Sequence, residues 1–349
     1  MKICVYAISK NEEQFVKRFY ESAKDADLIL LCDTGSTDNT VGLARECGIS
    51  VYNITINPWR FDNARNAALS LIPPDVDICI ALDLDEVLMP GWREEVVRVW
   101  KDTTTRLQYR YDWSNDHIFN ATKVHKRVGY SWRHICHEMI YPDPRVPEIW
   151  ATTDFLLIKH LPDPTKSRSN YLPLLKTATQ ENPYCARDAY YYARELFFTR
   201  QYQASIDEWT RYIKMPDAVW YHERCFALRT MGKCLDSLGR GTEAMEAFRN
   251  ATKEAQNIRE PWVDLAESCQ KNKEWQESFA AATRAINITN RDYAYTSDET
   301  VWTARPYDAA ALAAYYLGLK DLAKKYGQQA LDLNPTDPRL IQNMTWYCK

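Results

Sequence analysis

Glycine is scarce, 10 residues in 349, and no stretch is built from a short repeated word. A disordered or low-complexity chain is therefore excluded. No apolar run approaches the roughly 18 residues that a bilayer-spanning helix needs. The opening "MKICVYAISKNEE" carries too short an apolar run for a secretory signal. Charge of one sign is also lacking: the formal net charge is −3, which argues against a general nucleic-acid coat and leaves room for a local patch. Ten cysteines (4, 32, 47, 79, 136, 185, 225, 234, 269, 348) include no C-x-x-C pair. Several lie in apolar runs, where reduced Cys acts as a small hydrophobe. A disulfide framework is not expected, and a reducing, cytoplasmic setting is. What the chain has is length enough for two full cores and many aromatics, with 22 Tyr and 12 Trp.

The first half alternates strands and helices. "KICVYAIS", "LILLCD", "ISVYNIT" and "DICIALDLD" read as strands, separated by the amphipathic stretches "NEEQFVKRFYESAKDA", "STDNTVGLARECG" and "DNARNAALSLI". Hydroxyls and Asp cap the second helix, and Gly48 stops it. Such alternation predicts an α/β domain with an open, mainly parallel sheet, whose ligands bind beyond the carboxyl ends of the strands. Acidic features gather at those ends: Glu12 after the first strand, Asp33 at the end of the second, Asp83 and Asp85 at the end of the fourth.

The last pair is the sharpest signal. In extended backbone, Asp83 and Asp85 point to the same side. Carboxylates held that close repel and lose hydration, and a cation between them relieves both penalties. Hard oxygen ligands suit Mg²⁺ or Mn²⁺. The competing expectation is that one acid caps the next helix while the others face water.

From about Arg168 the pattern becomes helical throughout. Ala204, Ala244, Ser278 and Ala323 occupy one small-residue slot, at steps of 40, 34 and 45 residues. These steps scatter around the 34-residue tetratricopeptide period, and "LKDLAKKYGQQALDLNPTDP" is the clearest copy. The expected division is 1–165 for the α/β domain and 166–349 for an all-α tetratricopeptide-like repeat domain.

Four segments in order, "ISKNEE", "CDTGSTDNT", "WRFDNARNAAL" and "ALDLDEVL", resemble family-2 glycosyltransferases of the GT-A fold. The likeness is close over roughly the first 90 residues and continues weakly to about residue 165. It implies a nucleotide-sugar donor, a uridine diphosphate sugar by expectation, bound through Ala7, Ile8, Ser9, Glu12, Asp33, Ser36, Arg65 and Asp83. Helix capping is the competing role for Ser36, and a surface ion pair for Arg65. The resemblance makes Asp83 and Asp85 the metal pair, with Asp85 in direct contact and Asp83 also within reach of the ribose. In "SWRHICHEMIYP" it implies Glu138 as the base in a single displacement with inversion, and His137 or His160 as third metal ligand. The His-Glu pair departs from the acidic pair of many members, so Asp112 and Asp116 are the second candidates for the base.

The acceptor is less legible. From Lys101 to His134 seven Lys/Arg face three Asp, with six aromatics interleaved. Rings stack on sugars and on bases alike, and alternating strand residues would give the same pattern. A glycan or protein acceptor and a hydroxylated nucleic-acid base both fit. The helical repeats suggest a protein partner or self-association. A tetratricopeptide adaptor with an inactive transferase domain is the reading from another class.

Overall fold

The structure is a computed structural model and describes residues 1–113, 117–163 and 171–348. It divides into two compact units, Met1–Leu174 and Leu175–Lys349. The boundary expected at residue 165 lies outside the described residues.

The first unit runs β1 (Ile3–Ser9), α1 (Glu13–Ala23), β2 (Leu28–Asp33), α2 (Thr40–Glu46), β3 (Ser50–Asn53), α3 (Phe61–Leu71), β4 (Ile78–Ala81), β5 (Glu86–Leu88), α4 (Trp92–Val99), β6 (Arg106–Asp112), β7 (Ile118–Lys126), β8 (Tyr130–Arg133), β9 (Met139–Pro142) and β10 (Trp150–His160). The main sheet has the order β3-β2-β1-β4-β7-β6-β10-β5, and β8 pairs with β9 apart from it. Strands β1 to β4 are mutually parallel, as the alternation predicts. Beyond them the sheet is mixed, because β7 runs antiparallel to β4 and β6, and β5 antiparallel to β10. The expectation of a mainly parallel sheet is met by β1 to β4 and by β6 and β10, which pair in parallel and run the same way; β7 and β5 are the antiparallel strands that make the sheet mixed. β6 and β7 are consecutive and pair directly, which needs no crossover helix.

Both faces of β1 are covered, which is why it reads as a continuous apolar run. Ile3, Val5 and Ala7 pack with Phe15, Val16 and Phe19 of α1 and with Trp92 and Val96 of α4. Cys4 and Tyr6 face the other way, onto Ala68 and Leu69 of α3 and Trp132 of β8. The register sets Ser9 beside Asp33 at the carboxyl ends of β1 and β2.

After α5 (Tyr171–Glu181), the second unit pairs α6 (Ala186–Phe198) with α7 (Tyr202–Ile213), α8 (Tyr221–Ser237) with α9 (Gly241–Glu254), α10 (Glu260–Lys271) with α11 (Trp275–Asn287), and α12 (Arg305–Tyr316) with α13 (Lys320–Leu333). It ends on α14 (Pro338–Tyr347). Helices α6, α8, α10 and α12 also touch one another in order, forming one layer. The repeat slot is the fourth residue of each second helix: Ala244, Ser278 and Ala323 are fully buried there. In the first repeat that residue is Ser205, not Ala204: Ser205 is buried and Ala204 exposed. The hydroxyl of Ser205 donates to the Ala193 carbonyl (2.9 Å), so a polar side chain fits the tight slot. Among the described residues no disulfide joins any of the ten cysteines. Among the described residues no helix is long and apolar enough to cross a membrane.

Candidate active site at the strand ends

The loops after β1 and β2 are cross-braced. Asp33 is buried and accepts from the Ser9 hydroxyl (3.0 Å), the Gly35 amide (3.0 Å), the Ser36 amide (2.9 Å) and the Ser36 hydroxyl. Burial would raise its pKa, but these donors outweigh it and hold the carboxyl below its ordinary value. A carboxylate has about four acceptor positions, so Asp33 is satisfied within the chain. Ser36 in turn accepts from the Asn11 amide (2.8 Å), and Thr40 accepts from the Glu12 amide (2.8 Å). The polar "STDNT" stretch therefore does more than cap α2, whose N-cap Asn39 makes no side-chain cap bond. It ties the two loops together. Ala7 is fully buried and Ile8 half-buried along β1 beside them.

The extended geometry expected for Asp83 and Asp85 is not what forms. β4 ends at Ala81, and the Glu86 amide donates to the Asp83 carbonyl (2.9 Å), making a turn of residues 83–86. The turn gives the two acids different partners. Asp83 accepts from Arg65 Nη2 (2.6 Å) on one oxygen and Lys123 Nζ (3.2 Å) on the other. Desolvation opposes its ionised form, but those two cations prevail and hold it far below the usual range. Asp85 faces His160, with Oδ2 3.4 Å from Nε2.

Arg65 joins the groups. It is 5% exposed, donates through Nη2 to Asp83 and through Nε to Glu138, and lies 4.9 Å over the Trp132 ring. The surface ion pair considered for Arg65 is instead a buried bridge between two carboxylates. Neighbouring Asn66 clamps the β8 backbone, donating to the Trp132 carbonyl and accepting from its amide, both at 2.8 Å. The Phe61 amide also donates to the Ile135 carbonyl (3.0 Å), so α3 anchors the segment that carries Glu138. Lys123, on β7, belongs to no sequence motif, its only signal being a cation on a strand. It donates to buried Glu86 (2.7 Å), as does the Tyr111 hydroxyl (2.6 Å).

Could these residues hold a divalent cation? Asp83 does not suit a metal as arranged, since both its oxygens already meet cations. Asp85 and His160 do fit. His160 Nδ1 lies 3.2 Å from the Trp113 carbonyl, and its ring stacks on Trp113. Donation from Nδ1–H leaves a lone pair on Nε2 beside the Asp85 carboxylate, and an oxygen-plus-imidazole set suits Mn²⁺. His137 is in left-handed backbone (φ 54°), with its ring stacked on Tyr171. No three of Asp83, Asp85, His137 and His160 bring ligand atoms within 4.8 Å of one another. Asp112 lies 4.0 Å from Lys159, and Asp116 lies outside the described residues.

The helical region resembles tetratricopeptide-repeat proteins among solved structures. "YrrB: a TPR protein with an unusual peptide-binding site" is 13% identical, covering 50% of this chain and 82% of that chain at a TM-score of 0.41. PilF of Pseudomonas aeruginosa is 16% identical, covering 50% and 72% at 0.40. MamA is 15% identical, covering 49% and 85% at 0.39. No curated protein matches the chain. Residues 4–154, which hold every one of these site residues but His160, match the model of glycosyl transferase family 2.

Proposed function

We propose that the N-terminal unit is a metal-dependent glycosyltransferase that moves a sugar from a uridine diphosphate sugar to a hydroxyl of a glycan or protein, with inversion. The observation that carries this reading is the bridge from Arg65 to both Asp83 and Glu138 at the strand ends, inside the region matched by the family model. Ala7, Ile8, Ser9 and Glu12 frame the nucleotide, within loops that Asp33 and Ser36 keep in shape. Asp83, its carboxylate partly open to solvent, reaches the ribose. Asp85 and His160 hold the divalent cation, which supplies Lewis-acid neutralisation of the diphosphate when bound.

Arg65 holds Glu138 by Oε1, which leaves Oε2 to take the acceptor proton as the hydroxyl attacks the anomeric carbon. The fixed orientation removes the search for geometry that a free carboxylate would face. The setting is reducing and cytoplasmic, a reading that rests on ten cysteines with no C-x-x-C pair, and the helical unit is the part that meets a protein partner or a second copy.

A panel of nucleotide sugars, assayed for transfer and hydrolysis with Mn²⁺, tests the reading. Glu138→Gln should keep donor affinity and lose about 10²–10⁴-fold in turnover, the usual share of base catalysis. Transfer at the parent rate by Glu138→Gln would place the base elsewhere.

A further inference from the structure

The last repeat step, 45 residues, is eleven longer than the roughly 34-residue period. The excess falls between α11 and α12, in "TNRDYAYTSDETVWT", residues 289–303. This segment touches all four helices of the layer formed by α6, α8, α10 and α12. Asp292 accepts from the Tyr221 hydroxyl (2.7 Å) and lies 2.9 Å from His222 Nε2, at the start of α8. Tyr295 donates to Glu223 and packs its ring against Trp220 and Tyr190 of α6. The Asp298 amide donates to Glu260 of α10 (3.1 Å), and its carboxylate lies 3.2 Å from Arg305 of α12 and 3.7 Å from Arg229 of α8. One side chain closes the loop at both ends: Arg259 donates to the Ile288 carbonyl (2.8 Å) and the Val301 carbonyl (3.4 Å).

These contacts are those of a recognised peptide more than those of a core. The segment presents Asp292, Tyr295 and Asp298 at three-residue spacing to a mixed surface: Arg229 and Arg305 face the Asp298 carboxylate, Tyr221 donates to Asp292, and Glu223 and Glu260 accept from the Tyr295 hydroxyl and the Asp298 amide. Val301 is its fully buried apolar anchor, while Tyr293 is 52% exposed. Thr289, Asn290, Asp292, Thr300 and Thr303 are exposed as well, so both ends of the segment meet solvent.

We propose that residues 289–303 are a tethered ligand of this helical layer. They occupy a surface that reads an extended acidic–aromatic segment, and a partner of the same chemistry gains it only by displacing them. Tethering gives the internal segment an effective concentration in the millimolar range, so the intact chain should bind a free copy weakly.

The test uses a fluorescein-labelled peptide of residues 289–303 titrated into the full chain and followed by anisotropy. Two variants open the surface: Tyr295→Ala with Asp298→Ala, and a replacement of 290–300 by Gly/Ser of equal length. Circular dichroism reports whether each keeps its helices. Either folded variant should bind the peptide at least tenfold more tightly than the parent, more weakly as salt rises, and should not bind a scrambled peptide. If the linker variant loses helicity, the double substitution, which keeps Val301 and the loop length, decides alone. Equal binding by parent and folded variant, absence of binding included, overturns the proposal.

Discussion

Lowering the pH from 7 to 5 should destabilise the N-terminal unit through one histidine. His125 is fully buried on β7, with Nδ1 2.8 Å from the Lys126 carbonyl and Nε2 2.9 Å from the Tyr6 hydroxyl. Nδ1–H donates to that carbonyl, the Tyr6 hydroxyl donates to Nε2, and Trp132 Nε1–H donates to the Tyr6 oxygen (2.9 Å). Protonation would put a second donor on Nε2, where the chain of bonds needs an acceptor. Burial therefore pushes the His125 pKa down to about 4, against the help of the Lys126 carbonyl. The unfolded value is about 6.5. A depressed folded value means that stability is whole above pH 6.5 and is lost as pH falls from there towards 4. Between pH 6.5 and 5 the loss is about 2 kcal/mol, at roughly 1.4 kcal/mol per unit.

With a urea slope of about 1–3 kcal/mol/M, the midpoint should fall by about 1 M. Hydrogen exchange of β1 and β4 across a urea series at each pH reports this unit by itself. His125→Gln keeps an acceptor for Tyr6 and cannot titrate, so its midpoint should be nearly flat over the same range. An equal fall in parent and variant would refute the assignment. The site is involved too, because the Tyr6 chain holds the Trp132 ring on which Arg65 rests.

Arg65→Met leaves the largely buried Glu138 without the Arg65 counter-ion and Asp83 with Lys123 alone. Removing one partner of a buried pair costs about 3–5 kcal/mol, and the remaining lysine puts this case at the low end. The same exchange experiment reads it, and an unchanged midpoint would contradict the bridge. In the helical unit, Arg229 donates to Asp264 (2.6 Å), both nearly fully buried. Asp264→Asn should lower the thermal transition of that unit by about 3 kcal/mol equivalent, whereas the pair Arg229→Met with Asp264→Leu should recover most of it. Equal losses in the two variants would contradict the account.

The sequence shows the strands well where burial on both faces writes an apolar run: β2 occupies the six residues of "LILLCD". It shows Arg65 through the "ARN" segment, but not that Asn66 clamps β8, since a contact 66 residues away leaves no local pattern. The "DLD" spacing suggests two carboxylates side by side. Period-2 reasoning fails there because β4 ends before the motif, and a turn sends each acid to its own partner. Lys123 and Tyr111 were hidden for a related reason. A cation and a ring on strand residues look like surface alternation until the fold closes them over Glu86. In the repeats, alanine drew the first register to Ala204, when the slot takes Ser205 with its hydroxyl satisfied.

The central claim is that Asp85, with His160, holds the cation that donor binding needs. Calorimetry of a uridine diphosphate sugar binding to the parent and to Asp85→Ala, each with Mn²⁺ and with a chelator, tests it directly. The account predicts that Mn²⁺ strengthens binding to the parent at least tenfold, and that Asp85→Ala, still folded, binds equally weakly in both conditions. A metal-dependent gain in Asp85→Ala equal to that of the parent would contradict it.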